Sequence, residues 1–242
     1  MKTRLTIILI SLIFCSFGQT DGYEKTKALY DKGKLQDAID VGSSELKKLK
    51  SSDAAYKKII RLRADCYMEL PNFKSAIEDF KILIGLSPKE VSYYVAASYA
   101  YWELAEDANC FIYLQKAYEI NPKDPGTLSN MTYYYGQAGK YEESIKYANI
   151  GLEQKDVSNT LQGAMLNNRG YAYISLKQFD KALKDINQSI TFHPDNSYAY
   201  CYRALANIGL KKMETVCQDL DKAKSLGGVT LTKDLIAKHC KK

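Results

Sequence analysis

The residue pattern specifies an all-α chain of stacked helical hairpins. Small residues recur in two slots at near-constant spacing, and aromatic residues recur at fixed offsets from them. The third sign is compositional: among 242 residues there are 5 Pro and 14 Gly against 20 Tyr, too few turn-formers for a fold of many short strands. Hydrophobic types make up 46% of the chain, enough to bury a core, so global disorder is excluded. The net charge of +6 comes from 34 basic and 28 acidic residues spread along the chain. No basic run gathers to grip a phosphate backbone, so a nucleic-acid partner is not expected.

Residues 1–18 stand apart from the repeats and read as a signal peptide. Lys2 and Arg4 precede an apolar run from Leu5 to Phe14, and Ser16 and Gly18 take the small-residue positions of a cleavage site, placing the cut after Gly18. That run is far shorter than the roughly 20 residues a bilayer span needs. With no longer apolar stretch downstream, the expectation is an exported protein, periplasmic or extracellular, with no transmembrane segment. Lipid anchoring at Cys15 is not expected, because bulky Phe14 stands where a lipoprotein signal needs a small residue.

Six segments then align: GKLQDAI from Gly33, PNFKSAI from Pro71, AEDANCF from Ala105, GKYEESI from Gly139, KQFDKAL from Lys177 and KKMETVC from Lys211. Each carries a modest residue in one slot, namely Ala38, Ala76, Cys110, Ser144, Ala182 and Val216, at spacings of 38, 34, 34, 38 and 34. Twelve residues upstream lies a second slot, filled by Thr26, Ala64, Ser98, Thr132, Gly170 and Ala204. Two small residues in fixed phase mean two helices crossing closely, since large side chains there would hold the axes beyond about 8–10 Å. Tyr67, Tyr101, Tyr135 and Tyr173 follow the upstream slot by three, and Phe73, Tyr141 and Phe179 precede the downstream one by three, as packing anchors. Pro88, Pro122 and Pro194 close three second helices, and Asp124 followed by Pro125 reads as an N-cap with a first-turn proline.

This pattern resembles the tetratricopeptide repeat family, a 34-residue helix-turn-helix unit with small residues at its eighth and twentieth positions, aromatics at the eleventh and seventeenth, and a closing proline. The resemblance covers about residues 20–228. It implies a right-handed solenoid of about six hairpins, at about 19–52, 57–90, 91–124, 125–158, 163–196 and 197–228. The first unit departs from the pattern with Leu29, Leu35 and Gly42, and the last with Asn207 and Met213, as suits terminal units with one neighbour each.

Residues 229–242 read as a capping helix, with Leu231, Leu235 and Ile236 forming an apolar stripe. A fold at Gly227 and Gly228 levels Cys217 with Cys240, so these two are expected to form a disulfide in an oxidising compartment. Cys66, Cys110 and Cys201 have no levelled partner and read as buried thiols. No CxxC pair occurs, so neither a metal site nor a cofactor is expected. His193 beside Pro194 and His239 near the end of the chain read as surface or capping residues. The acidic pairs Glu142–Glu143 and Asp219–Asp221 read as solvated faces, and the sequons at Asn130 and Asn187 as chance matches. No catalytic residue is expected.

Function therefore falls to a surface. The resemblance implies ligand contacts on the concave face, which the first helices line. Carried over, these positions are Lys58, Arg61, Asp65 and Glu69, then Val95, Tyr99, Trp102 and Glu103, Ser129, Asn130, Tyr133 and Gln137, Asn167, Asn168 and Tyr171, and Tyr198, Cys201 and Tyr202. The carboxylate clamp of some relatives is not expected, because Arg61 is followed by Asp65 and the later units are neutral. Tyr99, Tyr133 and Tyr171 form a ladder of rings set too far apart to stack on one another. They either grip an extended segment, with Asn130, Asn167 and Asn168 bonding its backbone, or pack within the scaffold. The expected function is a non-catalytic protein–protein interaction scaffold of the cell envelope that binds a peptide segment or partner protein. The alternative is a glycan-binding module that uses the tyrosines as stacking platforms.

Overall fold

The computed structural model describes residues 21–228 and 230–240; residues 1–20, with Cys15 and the expected signal peptide, fall outside the described residues, as do residues 229, 241 and 242. The described residues are helical throughout, joined by turns, and form an all-α repeat solenoid. Two compact units divide the described residues, the first ending at residue 120 and the second beginning at residue 121. The first holds α1 (residues 21–31), α2 (Leu35–Leu46), α3 (Ala54–Glu69), α4 (Phe73–Leu86), α5 (Val91–Glu103) and α6 (Asp107–Ile120). The second holds α7 (Pro125–Gln137), α8 (Tyr141–Leu152), α9 (Asn159–Ser175), α10 (Phe179–Phe192), α11 (Ser197–Gly209), α12 (Val216–Ser225) and α13 (Thr230–His239). Within the first unit α2 packs on α3, and α4 on both α3 and α5; within the second, α8 packs on both α7 and α9, α10 on both α9 and α11, and α12 on both α11 and α13.

All twelve slot residues are buried. At one crossing the Ser144 hydroxyl donates to the Thr132 carbonyl at 2.7 Å, tying α8 to α7. At another, a Cβ on Gly170 would stand 2.6 Å from Ile186 Cγ1, so α9 and α10 approach as they do because the slot is glycine. Gly42 is explained in the same way. Its Cβ would meet Ile59 and Thr26 at 3.2 Å, so the first hairpin leaves no room there for the large residue the repeat pattern calls for.

The spacing of 38 has a simple structural origin. The hairpins that follow the two long intervals begin with helices of 16 and 17 residues, α3 and α9, where α5, α7 and α11 have 13. Extra residues thus lengthen the helix start and its linker while the crossing slots keep their phase. Asp124 accepts from Thr127 N–H at 2.7 Å ahead of Pro125, the expected cap.

Every hairpin turn closes in one way. The N–H of Lys34, Asn72, Glu106, Lys140, Gln178 and Lys212 each donates to the carbonyl five residues back, at 2.8–3.0 Å. This is the helix C-terminal closure that needs a left-handed residue just before it. Gly33 and Gly139 supply it freely, but Ala105, Lys177 and Lys211 are held there at φ of 55°, 57° and 61°. An L-residue in this region is strained by about 1–2 kcal/mol. Lys177→Gly is therefore expected to raise stability by about 1 kcal/mol, read as a higher urea midpoint at unchanged slope. An unchanged or lower midpoint counts against the strain.

A buried ion pair repeats through the stack. Arg63 meets Asp79, Arg169 meets Asp185 and Arg203 meets Asp219, each through Nε and Nη2 to both carboxylate oxygens at 2.6–2.9 Å. The remaining Nη1 of each reaches the preceding hairpin, to Ser43, Asn149 and Asn187 respectively. One guanidinium thus joins three helices. Asp219 is 3% exposed, which corrects its reading as a solvated face: carboxylates held this deep need a fixed partner. In the third and fourth hairpins the same two positions hold Ala97 with Tyr113 and Met131 with Tyr147. There the ring does the packing, Tyr113 against Tyr101 at 5.1 Å and Tyr147 stacked on Tyr135 at 5.3 Å.

Cys217 and Cys240 lie at bonding distance, with sulfurs 2.04 Å apart, and join α12 to the end of α13. Cys66, Cys110 and Cys201 are buried thiols. Burial pushes the thiols of Cys66 and Cys110 up, to about 11 and about 12. The expected apolar stripe on α13 divides. Leu235 is buried and Ile236 half-buried against the α11–α12 core, whereas Leu231 is 40% exposed and is not part of that cluster.

Candidate functional site

The first helices of the second unit set the site. α7 packs on α9 and α9 on α11, so the outward positions of these three helices share one face. A recess of about 320 Å³ opens on that face, with Tyr133 and Gln137 from α7, Asn167 and Asn168 from α9, and Tyr198 and Tyr202 from α11. Asn196 borders it from the turn before α11, where its side chain accepts from Tyr198 N–H at 3.1 Å and caps that helix. A second recess of about 480 Å³ shares Gln137, Tyr198 and Tyr202 with the first. It runs on past Tyr171 to Thr230 and Leu231 of α13.

The tyrosines play two parts. Tyr133 and Tyr198 are 41% and 50% exposed and line the recess, with the Tyr133 ring 5.1 Å from that of Tyr134 and the Tyr198 ring 6.0 Å from that of Tyr202. Tyr171 is half-buried and Tyr202 buried. Their rings stack at 5.0 Å, and Tyr141 meets Tyr171 edge-on at 6.1 Å. Tyr202 is not one of the three ladder rings, so this stack sets a ladder ring against a different level of the next first helix. The pair joins the ninth position of one hairpin to the sixth of the next, two levels that side-chain reach brings together. Burial raises the pKa of both Tyr171 and Tyr202, so their hydroxyls stay neutral well beyond the usual tyrosine range.

Asn167 is 6% exposed, and its Oδ1 is buried with no hydrogen-bond partner. Asn130 lies on α7 but does not line either recess. Cys201, carried over as a ligand position, is fully buried beneath α11 against Val216 and Leu220. Gln137 was legible from its repeat position; Asn196, Thr230 and Leu231 had no sequence signal as site residues.

In the first unit the carried-over residues are engaged internally. Arg61 donates through Nε to both oxygens of Asp65 at 3.0 Å and lies over the Phe80 and Tyr93 rings. Lys58 sits over the Tyr23 ring at 5.2 Å. Tyr99 is 41% exposed with its edge against Phe73 at 6.1 Å, and Trp102 is half-buried on the same helix. The ladder thus divides between the units, Tyr99 in the first and Tyr133 and Tyr171 in the second.

His193 caps the end of α10, with Nε2 3.2 Å from the Thr160 carbonyl. Among the described residues no group of three or more His, Cys, Asp or Glu side chains is placed to hold a metal, and no helix is long and apolar enough to cross a membrane.

Models of the tetratricopeptide repeat match residues 91–124 and 164–196, the third and fifth hairpins. Over 92 residues the chain is 29% identical to RNA polymerase II-associated protein 3 of Xenopus laevis, covering 38% of this chain and 13% of that protein. Among solved structures, a tetratricopeptide repeat protein from Parabacteroides merdae superposes with a TM-score of 0.65 at 20% identity, over 92% of this chain and 84% of that one. PilW, a type IV pilus biogenesis factor, gives 0.67 at 18% identity, over 74% and 81%. The APC/C Cut9–Hcn1 structure gives 0.75 at 16% identity over 99% of this chain, which spans 46% of the chain it matches. Two hairpins match the repeat in sequence, and the described residues fold as stacked hairpins of the same kind, which supports a tetratricopeptide repeat protein.

Proposed function

We propose that the chain is a non-catalytic protein–protein interaction scaffold of the cell envelope, and that the recess across α7, α9 and α11 binds an extended segment of its partner. Tetratricopeptide repeats indicate a protein-interaction scaffold, and the fold is generally a non-catalytic one. One observation carries the site: two exposed tyrosine rings flank side-chain amides on a single helical face. Tyrosine offers broad contact area with little rotamer freedom to lose, and amides match the donor and acceptor of a peptide bond. The envelope assignment rests on the leader pattern of residues 1–18.

The test is capture from native envelope extract by the mature chain, compared with Tyr133→Ala/Tyr198→Ala after circular dichroism has shown equal helix content. A partner captured by the wild type is expected to fall at least about tenfold with the variant. Equal capture by both removes the recess from the function. The glycan reading keeps one point in its favour, the exposure of the Tyr133 and Tyr198 rings, and competition by soluble saccharides separates the two.

A further inference from the structure

Among the described residues, the two connected recesses are lined without a charged side chain: their polar groups are amides and hydroxyls, and the rest is ring or aliphatic surface. This is unusual for the chain, of which 26% is charged. Buried centres of protein interfaces lose charge and gain tyrosine in the same way. A neutral wall disfavours a charged occupant, since a carboxylate or ammonium entering it gives up water and meets no counter-ion. It also lacks a cation to hold a chain's terminal carboxylate.

The Asn167 amide supplies the second observation. It borders the recess, is 94% buried by the complement of its 6% exposure, and leaves Oδ1 without a partner. An unpaired buried acceptor is unfavourable, so a ligand that satisfies it gains from doing so. A half-turn about the last side-chain bond exchanges oxygen and nitrogen, so this group can present either to an occupant. A backbone amide, with one N–H and one C=O, answers both settings.

Resting on the peptide reading above, we infer that the ligand is an internal, uncharged, extended segment, read through its backbone by Asn167 and held between the rings of Tyr133 and Tyr198. The segment carries neither Asp or Glu nor Lys or Arg where it crosses the recess, and its chain ends lie outside. Binding is then nearly insensitive to salt, because no ion pair forms to be screened.

The experiment selects on the full oxidised chain from a display library of random peptides of about twelve residues, fixed at both ends by flanking sequence. Selected peptides are remade with blocked ends and measured by fluorescence anisotropy. Expected are cores depleted of all four charged residues and an affinity that changes less than about twofold between low salt and about 0.5 M salt. Affinity should fall about tenfold or more when a central residue becomes Glu or Lys. Asn167→Leu, which fills its site, and the exposed-site variant Tyr198→Ala are each expected to weaken binding about tenfold at unchanged helix content.

Enrichment of acidic or basic cores, a steep loss with salt, or a gain from a free terminal carboxylate overturns the neutral-segment inference while leaving a peptide groove standing. Binding unaffected by both variants removes it from this recess. Enrichment of no peptide, with binding to soluble saccharides instead, overturns the inference together with the peptide reading.

Discussion

Arg63→Met is expected to destabilise the fold by about 3–5 kcal/mol at neutral pH, because it leaves the Asp79 carboxylate buried without its counter-charge. Asp79 is 2% exposed, and burial already pushes its carboxyl above the usual range against the pull of Arg63. The sign of the pH dependence follows. With the counter-charge gone, the folded-state pKa of Asp79 rises further above its unfolded value, so stability is lost as pH climbs through that raised value. The variant's deficit is therefore largest near about pH 7 and shrinks toward about pH 5, where the acid is more nearly neutral. Urea midpoints at the two pH values measure this, and a deficit that grows on acidification contradicts the assignment.

The double variant Arg63→Met/Asp79→Tyr copies what the fourth hairpin already contains, Met131 with Tyr147. It is expected to recover most of the loss, since a buried pair replaced by packed apolar groups of similar volume is often neutral or better. A double variant as unstable as the single would show that the third bond, from Arg63 to Ser43, dominates instead.

Removing the Cys217–Cys240 bridge is expected to lower stability by about 3 kcal/mol, the entropy of a loop of this length, and to free α13 before the rest unfolds. The cross-linked cysteines are 23 residues apart, and α13 has 10 residues, below the about 12–15 at which isolated helices become stable. Of α13, Thr232 and Leu235 alone are buried, at 1% and 8% exposure. Thr232 lies against the Cys201 thiol, so release of the helix uncovers that sulfur. A dithiol reductant, or Cys217→Ser/Cys240→Ser, should make Cys201 react with a maleimide under native conditions. Cys110, buried between α5 and α6, stays protected and serves as the internal control. If Cys201 remains as unreactive as Cys110 after reduction, the cap is held by packing alone.

The repeat was legible because it constrains side-chain size at points that recur in the chain. Residues such as Ala38, Ala182 and Gly170 are small because two helix axes cross there, and that need returns with each hairpin. The Arg–Asp pairs were legible too, in principle. Arginine one residue before the upstream slot and aspartate three after the downstream one recur at Arg63 and Asp79, Arg169 and Asp185, and Arg203 and Asp219. They are hidden to a reading that treats charged positions as solvent-facing, as Asp219 was.

Hairpin number, crossing slots, cap positions and the levelled cysteines were thus determined by residue types at fixed sequence spacing, because each reflects a constraint local to one hairpin or its immediate neighbour. The recess was not. Which tyrosines stay exposed and which are covered, Tyr133 and Tyr198 against Tyr171 and Tyr202, depends on how far α7, α9 and α11 hold their side chains from one another. The same holds for Leu231, which turns from the stripe to the recess, and for Asn167, whose oxygen loses its partner only once three helices have packed around it. Exposure and hydrogen-bond partners are properties of assembled surfaces, and residues distant in sequence set them jointly.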